Sequence, residues 1–235
     1  PLTGTKTPTG ARYMVVCKSP LTGGWGDANS GGYFGSELKA AGLDAVYVSG
    51  KSAKPAYLLI QNGKLELRDA SHLWGQDTIA TEEALRSETA EKRLRVASIG
   101  PASERLSLIS GICNDGGRFA ARSGVGAVMG SKNLKAIAVK GTGSIPVADL
   151  NEAYAKGKEA YRKVKAKPGF EGWTPEGTAG ITNWTNEVGV FPTRNFQTSY
   201  AEHHKDINGQ AILERLKITD KECFGCPTPC GKYGH

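Results

Sequence analysis

Three cysteines crowd into one short stretch near the end of the chain, Lys221-Glu-Cys223-Phe-Gly-Cys226-Pro-Thr-Pro-Cys230-Gly-Lys. The spacing C-x2-C-x3-C lets three thiolates face a small common centre, and the prolines between them hold the loop open. Zinc sites usually come as two separate two-ligand knuckles. Three local thiolates with a fourth ligand from far away suit an iron–sulfur cluster better; a zinc site or plain free thiols are the alternatives. No fourth cysteine stands nearby, because Cys17 and Cys113 are isolated and Cys113 falls in an expected strand. An odd count of five with a local cluster is no disulfide framework, and it points to a reducing compartment and a metal.

Two glycine-rich turns could hold an anion. Ala28-Asn29-Ser30-Gly31-Gly32-Tyr33-Phe34-Gly35 opens an expected helix. Free amides at a helix start, with glycines permitting close approach, suit a phosphate. The plainer reading is an Asn or Ser cap on an ordinary helix. The second turn is Asn114-Asp115-Gly116-Gly117-Arg118-Phe119-Ala-Ala121-Arg122-Ser123-Gly124-Val-Gly126. Its arginines offer planar forks for phosphate oxygens, or they are simply surface arginines on a loop. It is neither a Walker A nor a dinucleotide fingerprint, since the order of glycines and the strand-to-helix context are both wrong.

The elements that must carry these turns are legible from periodicity and punctuation. Strands are expected at 12–17, 44–49, 56–61, 64–68, 95–99 and 135–140. The pair around Asn62-Gly63 carries the strongest short hairpin signal. Helices are expected at 33–41, stopped by Gly42, and at 78–87. The texture changes near Gly141-Thr-Gly-Ser-Ile-Pro146, which sets a domain boundary at about residue 147. Beyond it, Asp149 and Glu152 fit a capping box for a helix to about Lys165, and a second helix at 207–217 leads into the cysteines. The fold class is therefore α+β: a β-sheet base domain with a few helices, then the start of a mainly helical domain.

Composition narrows the function classes. The 235 residues carry a net charge of +7, with 18 basic against 13 acidic residues in 1–150 and 12 against 10 beyond. That spread, with no zinc-finger or RNA-binding signature, argues against nucleic acid. The basic run Lys156 to Lys167 reads as a solvated helix face. No apolar run approaches the ~18 residues of a membrane span. His72 reads as part of a packed turn, and His203 and His204 as exposed neighbours.

Further motifs join these in one order along the chain: Pro1-Leu-Thr-Gly-Thr5, Pro8-Thr-Gly-Ala-Arg12-Tyr13, Lys18-Ser-Pro-Leu-Thr-Gly23, Arg68-Asp-Ala-Ser-His72-Leu-Trp-Gly75, Ala97-Ser-Ile-Gly-Pro101, Gly124 to Val139 and Asn195-Phe-Gln197. Together with the two turns and the cysteine loop they resemble the tungsten-containing aldehyde:ferredoxin oxidoreductase family over nearly the whole chain. The resemblance implies that residues 1–147 are a pterin-binding β-rich domain, incomplete at its N-terminus. Residues 148–235 would begin a helical domain, incomplete at its C-terminus. It further implies a tungsten (or molybdenum) bis-pyranopterin, contacted by Arg12, Asn29, Gly31, Arg118, Phe119 and Ala121. Main-chain oxygens at Asn29 and Phe119 would hold a magnesium between the pterin phosphates. Cys223, Cys226 and Cys230 match three ligands of a [4Fe–4S] cluster whose fourth lies beyond His235.

The implied reaction is oxidation of a small aldehyde to a carboxylic acid, with ferredoxin or a similar protein taking the electrons in the cytoplasm. A homodimer or accessory subunits are compatible with it. The groups that move protons at the metal fall outside the chain, so no catalytic residue is named and the chain alone is expected to be inactive. Phe119, Ala121 and Ser123 depart from the family pattern, where small residues and glycines stand, and Ala121 would suffer most if its position needs φ > 0. The tungsten subunit of an aromatic-ring (acyl-thioester) reductase of the same family is the near alternative. A non-enzymatic cysteine-cluster electron carrier or zinc module is the distant one, and it would leave both glycine–arginine turns idle.

Overall fold

The strand β3 (Ala56–Gln61) and the strand β8 (Leu134–Lys140) run parallel at the centre of a six-stranded sheet, and both are almost wholly buried. Around them lie β4 (Lys64–Asp69), β5 (Arg95–Ser98), β6 (Ile112–Asn114) and β7 (Arg118–Ala120), in the order β4-β3-β8-β5-β6-β7, with every pairing but β3–β8 antiparallel. Alternation along a strand sends neighbours to opposite faces, and two cores result. Leu59, Val96 and Ala138 join Tyr57, Leu73 and Leu85 on one face. Ile60, Ala97 and Val139 join Phe34, Ile112, Val125 and Met129 on the other. The structure, a computed structural model, describes residues 2–234; Pro1, at the head of the first resembling motif, and His235 lie outside the described residues.

The helix α2 (Thr78–Glu88) covers the first face, held at its start by the Asp77 carboxylate, which accepts from the amides of Ile79 and Ala80 at 2.9 and 2.8 Å. The second face receives α1 (Phe34–Ala40), α4 (Val125–Ser131) and a separate antiparallel hairpin of β1 (Tyr13–Lys18) and β2 (Trp25–Ser30). The short helix α3 (Pro101–Glu104) lies against α4 so closely that side chains there must vanish. A Cβ on Gly126 would sit 2.5 Å from the Gly111 carbonyl oxygen, and one on Gly130 would sit 2.9 Å from the Ser103 carbonyl carbon. Part of the glycine-rich run is thus helix packing, not an anion turn.

Most expected elements form, including Asn62-Gly63 at φ +49 and +82 between β3 and β4, and the C-terminal stop at Gly42 with φ +87. The strand expected at 44–49 does not. Its run from Ala45 to Val48 is apolar throughout, but no strand among the described residues pairs with it, and Tyr47 is 96% exposed. Past β8 come α5 (Leu150–Lys165), with Asp149 accepting from the Glu152 amide at 2.8 Å, then α6 (Phe170–Glu176), α7 (Thr182–Glu187) and α8 (Gly209–Arg215). α5 buries only Gly157, so its lysines face water. α8 does not run into the cysteines. A hairpin of β9 (Lys217–Lys221) and β10 (Gly231–Gly234) intervenes, and the cysteine loop is its connection. The α+β class read from the sequence holds.

One buried ion pair locks α3 to the sheet. Lys135 Nζ and Glu104 Oε1 lie 2.5 Å apart with side chains 0% and 5% exposed; Lys135 also donates to the Gln76 carbonyl, and Glu104 Oε2 accepts from the Gly75 amide, both at 2.8 Å. Breaking a buried pair strands the partner's charge. Lys135→Met should cost about 3–5 kcal/mol in urea unfolding, and adding Glu104→Gln should recover most of it; equal losses in the single and double variants would show that the stranded charge is not the cause.

Candidate functional site

Asn114 ends β6 and Asp115 begins the turn to β7, and both side chains are buried. Asn114 Oδ1 accepts from the Tyr13 hydroxyl and the Ser30 hydroxyl, each at 2.8 Å, while Nδ2 donates to the Gly31 carbonyl at 2.9 Å and to Asp115 Oδ2 at 2.7 Å. Asp115 Oδ2 also accepts from the amides of Tyr33 (2.7 Å) and Phe34 (3.2 Å), and Oδ1 accepts from Arg95 Nη1 at 3.2 Å. The helix-start amides that the sequence offered to a phosphate, or to a cap by Asn29 or Ser30, are therefore taken by a carboxylate 82 residues away. Burial holds the Tyr13 phenol far above its ordinary range, so it stays a donor. Glu82 of α2 accepts from the Gly116 amide at 3.0 Å and pairs with Arg86, and burial pushes its carboxyl up.

The cysteine loop is docked on this turn. The Phe224 amide donates to the Gly32 carbonyl at 3.0 Å, and the Thr9 amide to the Gly225 carbonyl at 3.2 Å. A Cβ on residue 31 would stand 2.8 Å from the Cys223 sulfur, so Gly31 is what lets the thiol approach. From the other side, Arg118 Nη2 donates to the Lys221 carbonyl and Lys221 Nζ to the Gly116 carbonyl at 3.1 Å. Arg118 thus serves as a strap between the second turn and the loop. Between α2, Tyr33, Arg118 and residues 220–222 lies an open cavity of about 420 Å³.

Cys223, Cys226 and Cys230 share one loop. Among the described residues, however, no three His, Cys, Asp or Glu side chains are gathered as a metal site. The Cys226 sulfur sits 3.4 Å from the Thr228 hydroxyl and carbonyl. Cys17 and Cys113 stand apart, and burial raises both thiols, which disfavours the thiolate a metal needs.

The remaining sequence-derived positions lie on the outer face of the β1–β2 hairpin and along β7. The register sets Met14 beside Asn29 and Val16 beside Asp27. Arg12, Met14, Val16 and Asn29 therefore share the exposed side, and Trp25 at the hairpin end is 78% exposed. Phe119 is 52% exposed on the edge strand β7. Ala121 has no positive φ; the left-handed residue is Ser123 at φ +64, whose hydroxyl donates to the Asp27 carbonyl at 3.1 Å. His72 is half exposed, with Nε2 3.3 Å from Glu88 Oε2, so the buried member of its turn is Leu73. His204 is not exposed like His203: Nδ1 lies 2.8 Å from Asn186 Nδ2. Sequence reasoning missed Asp115, Arg95 and Tyr33, although the Asn-Asp-Gly turn held the signal that a side chain there caps something distant.

The site is thus an α+β sheet domain with a thiol loop seated on its glycine turn, beside an exposed Arg and Asn. Residues 1–141 match the family described as "Aldehyde ferredoxin oxidoreductase, N-terminal domain", and residues 155–235 match "Aldehyde ferredoxin oxidoreductase, domains 2 & 3". The chain belongs to the aldehyde ferredoxin oxidoreductase family. It is 50% identical over 99% of its length to the "Tungsten-containing aldehyde ferredoxin oxidoreductase" of Thermococcus kodakarensis, and 48% identical over 99% to that of Pyrococcus furiosus. It covers 38% of each of those relatives. Among solved structures, "Active site complex BamBC of Benzoyl Coenzyme A reductase in complex with 1,5 Dienoyl-CoA" aligns with a TM-score of 0.81 at 30% identity, over 98% of this chain and 37% of that one.

The Asn114 side chain makes four hydrogen bonds at 1% exposure. Leaving buried partners unsatisfied costs about 1–3 kcal/mol each, so Asn114→Ala should lower the urea-unfolding free energy by at least about 3 kcal/mol. A loss under about 1 kcal/mol would mean the network is not holding the turn.

Proposed function

We propose that this chain is part of an enzyme that oxidises aldehydes to carboxylic acids and delivers the electrons to ferredoxin or a ferredoxin-like acceptor in the cytoplasm. The observation that carries this reading is the 50% identity, over 99% of this chain, with part of a protein named for that reaction. Among the described residues no helix is long and apolar enough to cross a membrane. We divide the chain at about residue 147 into a pterin-binding base and the start of a helical domain, and leave open a homodimer or accessory subunits.

The residues fit the cofactors that the family implies. A cradle that lacks a Cβ at Gly31, just where the Cys223 sulfur approaches, suits a loop that must bring a cluster close to a second group. In this reading Arg12, Asn29, Gly31, Arg118, Phe119 and Ala121 hold the pterin dithiolene and its phosphates, with magnesium on the main-chain oxygens of Asn29 and Phe119. Cys223, Cys226 and Cys230 supply three cluster ligands. Held there, a tungsten (or molybdenum) bis-pyranopterin and a [4Fe–4S] cluster would supply the two-electron oxidation of the aldehyde, with water as the source of the added oxygen, and one-electron transfer to the acceptor. Arg12, free on the exposed face, can fork two N–H donors to one phosphate. Arg118 spends one N–H on Lys221, and the rest of its five donors stay available. The exposed apolar side chains Met14, Val16 and Trp25 give the base a surface suited to being covered.

The aromatic-ring reductase reading has a specific observation behind it, the fold match to a benzoyl-coenzyme A reductase complex, but identity there is 30% against 50%. Elemental analysis of full-length protein purified without oxygen should find tungsten or molybdenum and about four irons per chain; zinc with neither tungsten nor molybdenum would overturn the enzyme reading. Because Arg12 is exposed and surface changes move stability by about 0.5 kcal/mol or less, Arg12→Ala should lower tungsten and pterin content without shifting the unfolding midpoint. Full cofactor content in that variant would return Arg12 to the ordinary surface.

A further inference from the structure

Tyr33 is the first side chain beyond the Gly31–Gly32 turn, and it reaches the cysteine loop by two routes. Its hydroxyl donates to Glu222 Oε1 at 3.1 Å, and its ring meets Phe224 edge to face, centroids 6.4 Å apart at 86°. Glu222 and Phe224 are the two residues flanking Cys223. The ring is itself held: the Arg95 guanidinium carbon lies 4.6 Å from its centroid, and Arg95 is anchored on Asp115 at 3.2 Å. A charged guanidinium is attracted to the electron-rich face of an aromatic ring, which holds the ring in place. A continuous line therefore runs from the buried Asp115 through Arg95 and Tyr33 to both neighbours of one thiol.

We propose that Tyr33 is a positioning residue that registers Cys223 against the Gly31–Gly32 turn and disperses the Glu222 charge beside the loop. The inference rests on the reading of Cys223 as an iron ligand. Hydrogen bonds, net charge and solvent exposure around a cluster set its reduction potential, and outer partners orient the ligands. A carboxylate stripped of its phenol donor is a more concentrated negative charge, which disfavours the reduced cluster and lowers the midpoint. Tyr33→Phe removes that donor while keeping the ring against Phe224 and Arg95. Glu222 is exposed, so Glu222→Gln removes the charge, while leaving an acceptor for the phenol, without disturbing the core.

The test is an EPR-monitored redox titration, with iron assay, of the full-length protein purified without oxygen: unsubstituted, Tyr33→Phe, Glu222→Gln and the double variant. Tyr33→Phe should keep its iron and show a lower midpoint, Glu222→Gln a higher one. In the Glu222→Gln background the Tyr33→Phe step should lose most of its effect, the non-additivity expected of residues in contact. An iron-loaded protein whose potential ignores both single substitutions overturns this proposal alone, as does a Tyr33→Phe shift that persists undiminished beside Glu222→Gln. Unsubstituted protein without iron overturns the cluster reading and this proposal with it.

Discussion

A buried carboxamide and a buried carboxylate, Asn114 and Asp115, are where the sheet, the β1–β2 hairpin and the helix α1 meet. The hairpin's inner side offers Tyr13 and Ser30, α1 offers two amides, and β5 offers Arg95; each is satisfied by the same two side chains. In a low-dielectric site such a network strengthens its members when complete and is costly when one is missing. That gives the junction a single acceptable geometry, and the cysteine loop inherits it because its amide and thiol rest on Gly31 and Gly32.

The sheet contributes rigidity of another kind. With helices or a hairpin over both faces, β3 and β8 have no freedom to slip, since a one-residue shift would exchange the two cores. The site-bearing strands β6 and β7 are short, three residues each, and lie at one edge. Central strands thus supply stability while the edge and its turn carry the chemistry-bearing groups, which leaves Phe119 exposed on β7 and the hairpin face open.

What the sequence made legible follows from how local each signal is. The Asn62-Gly63 turn and the Asp149 cap act within a few residues, and they read correctly. The segment 44–49 failed because its short apolar run suits a strand, but strand formation needs a partner that no local pattern announces. The cysteine spacing was plain; that a hairpin, not a helix, presents it was not. Asp115 went unread because a cap supplied from 82 residues away leaves no trace beside the helix it caps. The cysteines could be read from their spacing, whereas the roles given to Arg12 and Asn29 came from resemblance to a family.

The departures at residues 119–123 can be weighed by what each contact needs. A cation held by a main-chain oxygen is indifferent to the side chain above it, provided the backbone keeps its course. At Ala121 the backbone stays outside the left-handed region, so a Cβ there brings no conformational strain. At Ser123 it does not, and a β-carbon at φ +64 costs on the order of 1 kcal/mol. The serine hydroxyl, donating to the Asp27 carbonyl of β2, offsets that cost with a bond worth about 1 kcal/mol. The same bond ties the second turn to the hairpin that bears Asn29. A glycine would relax the turn and release the hairpin together, so the unusual residue trades local strain for the register between the two halves of the proposed cofactor surface.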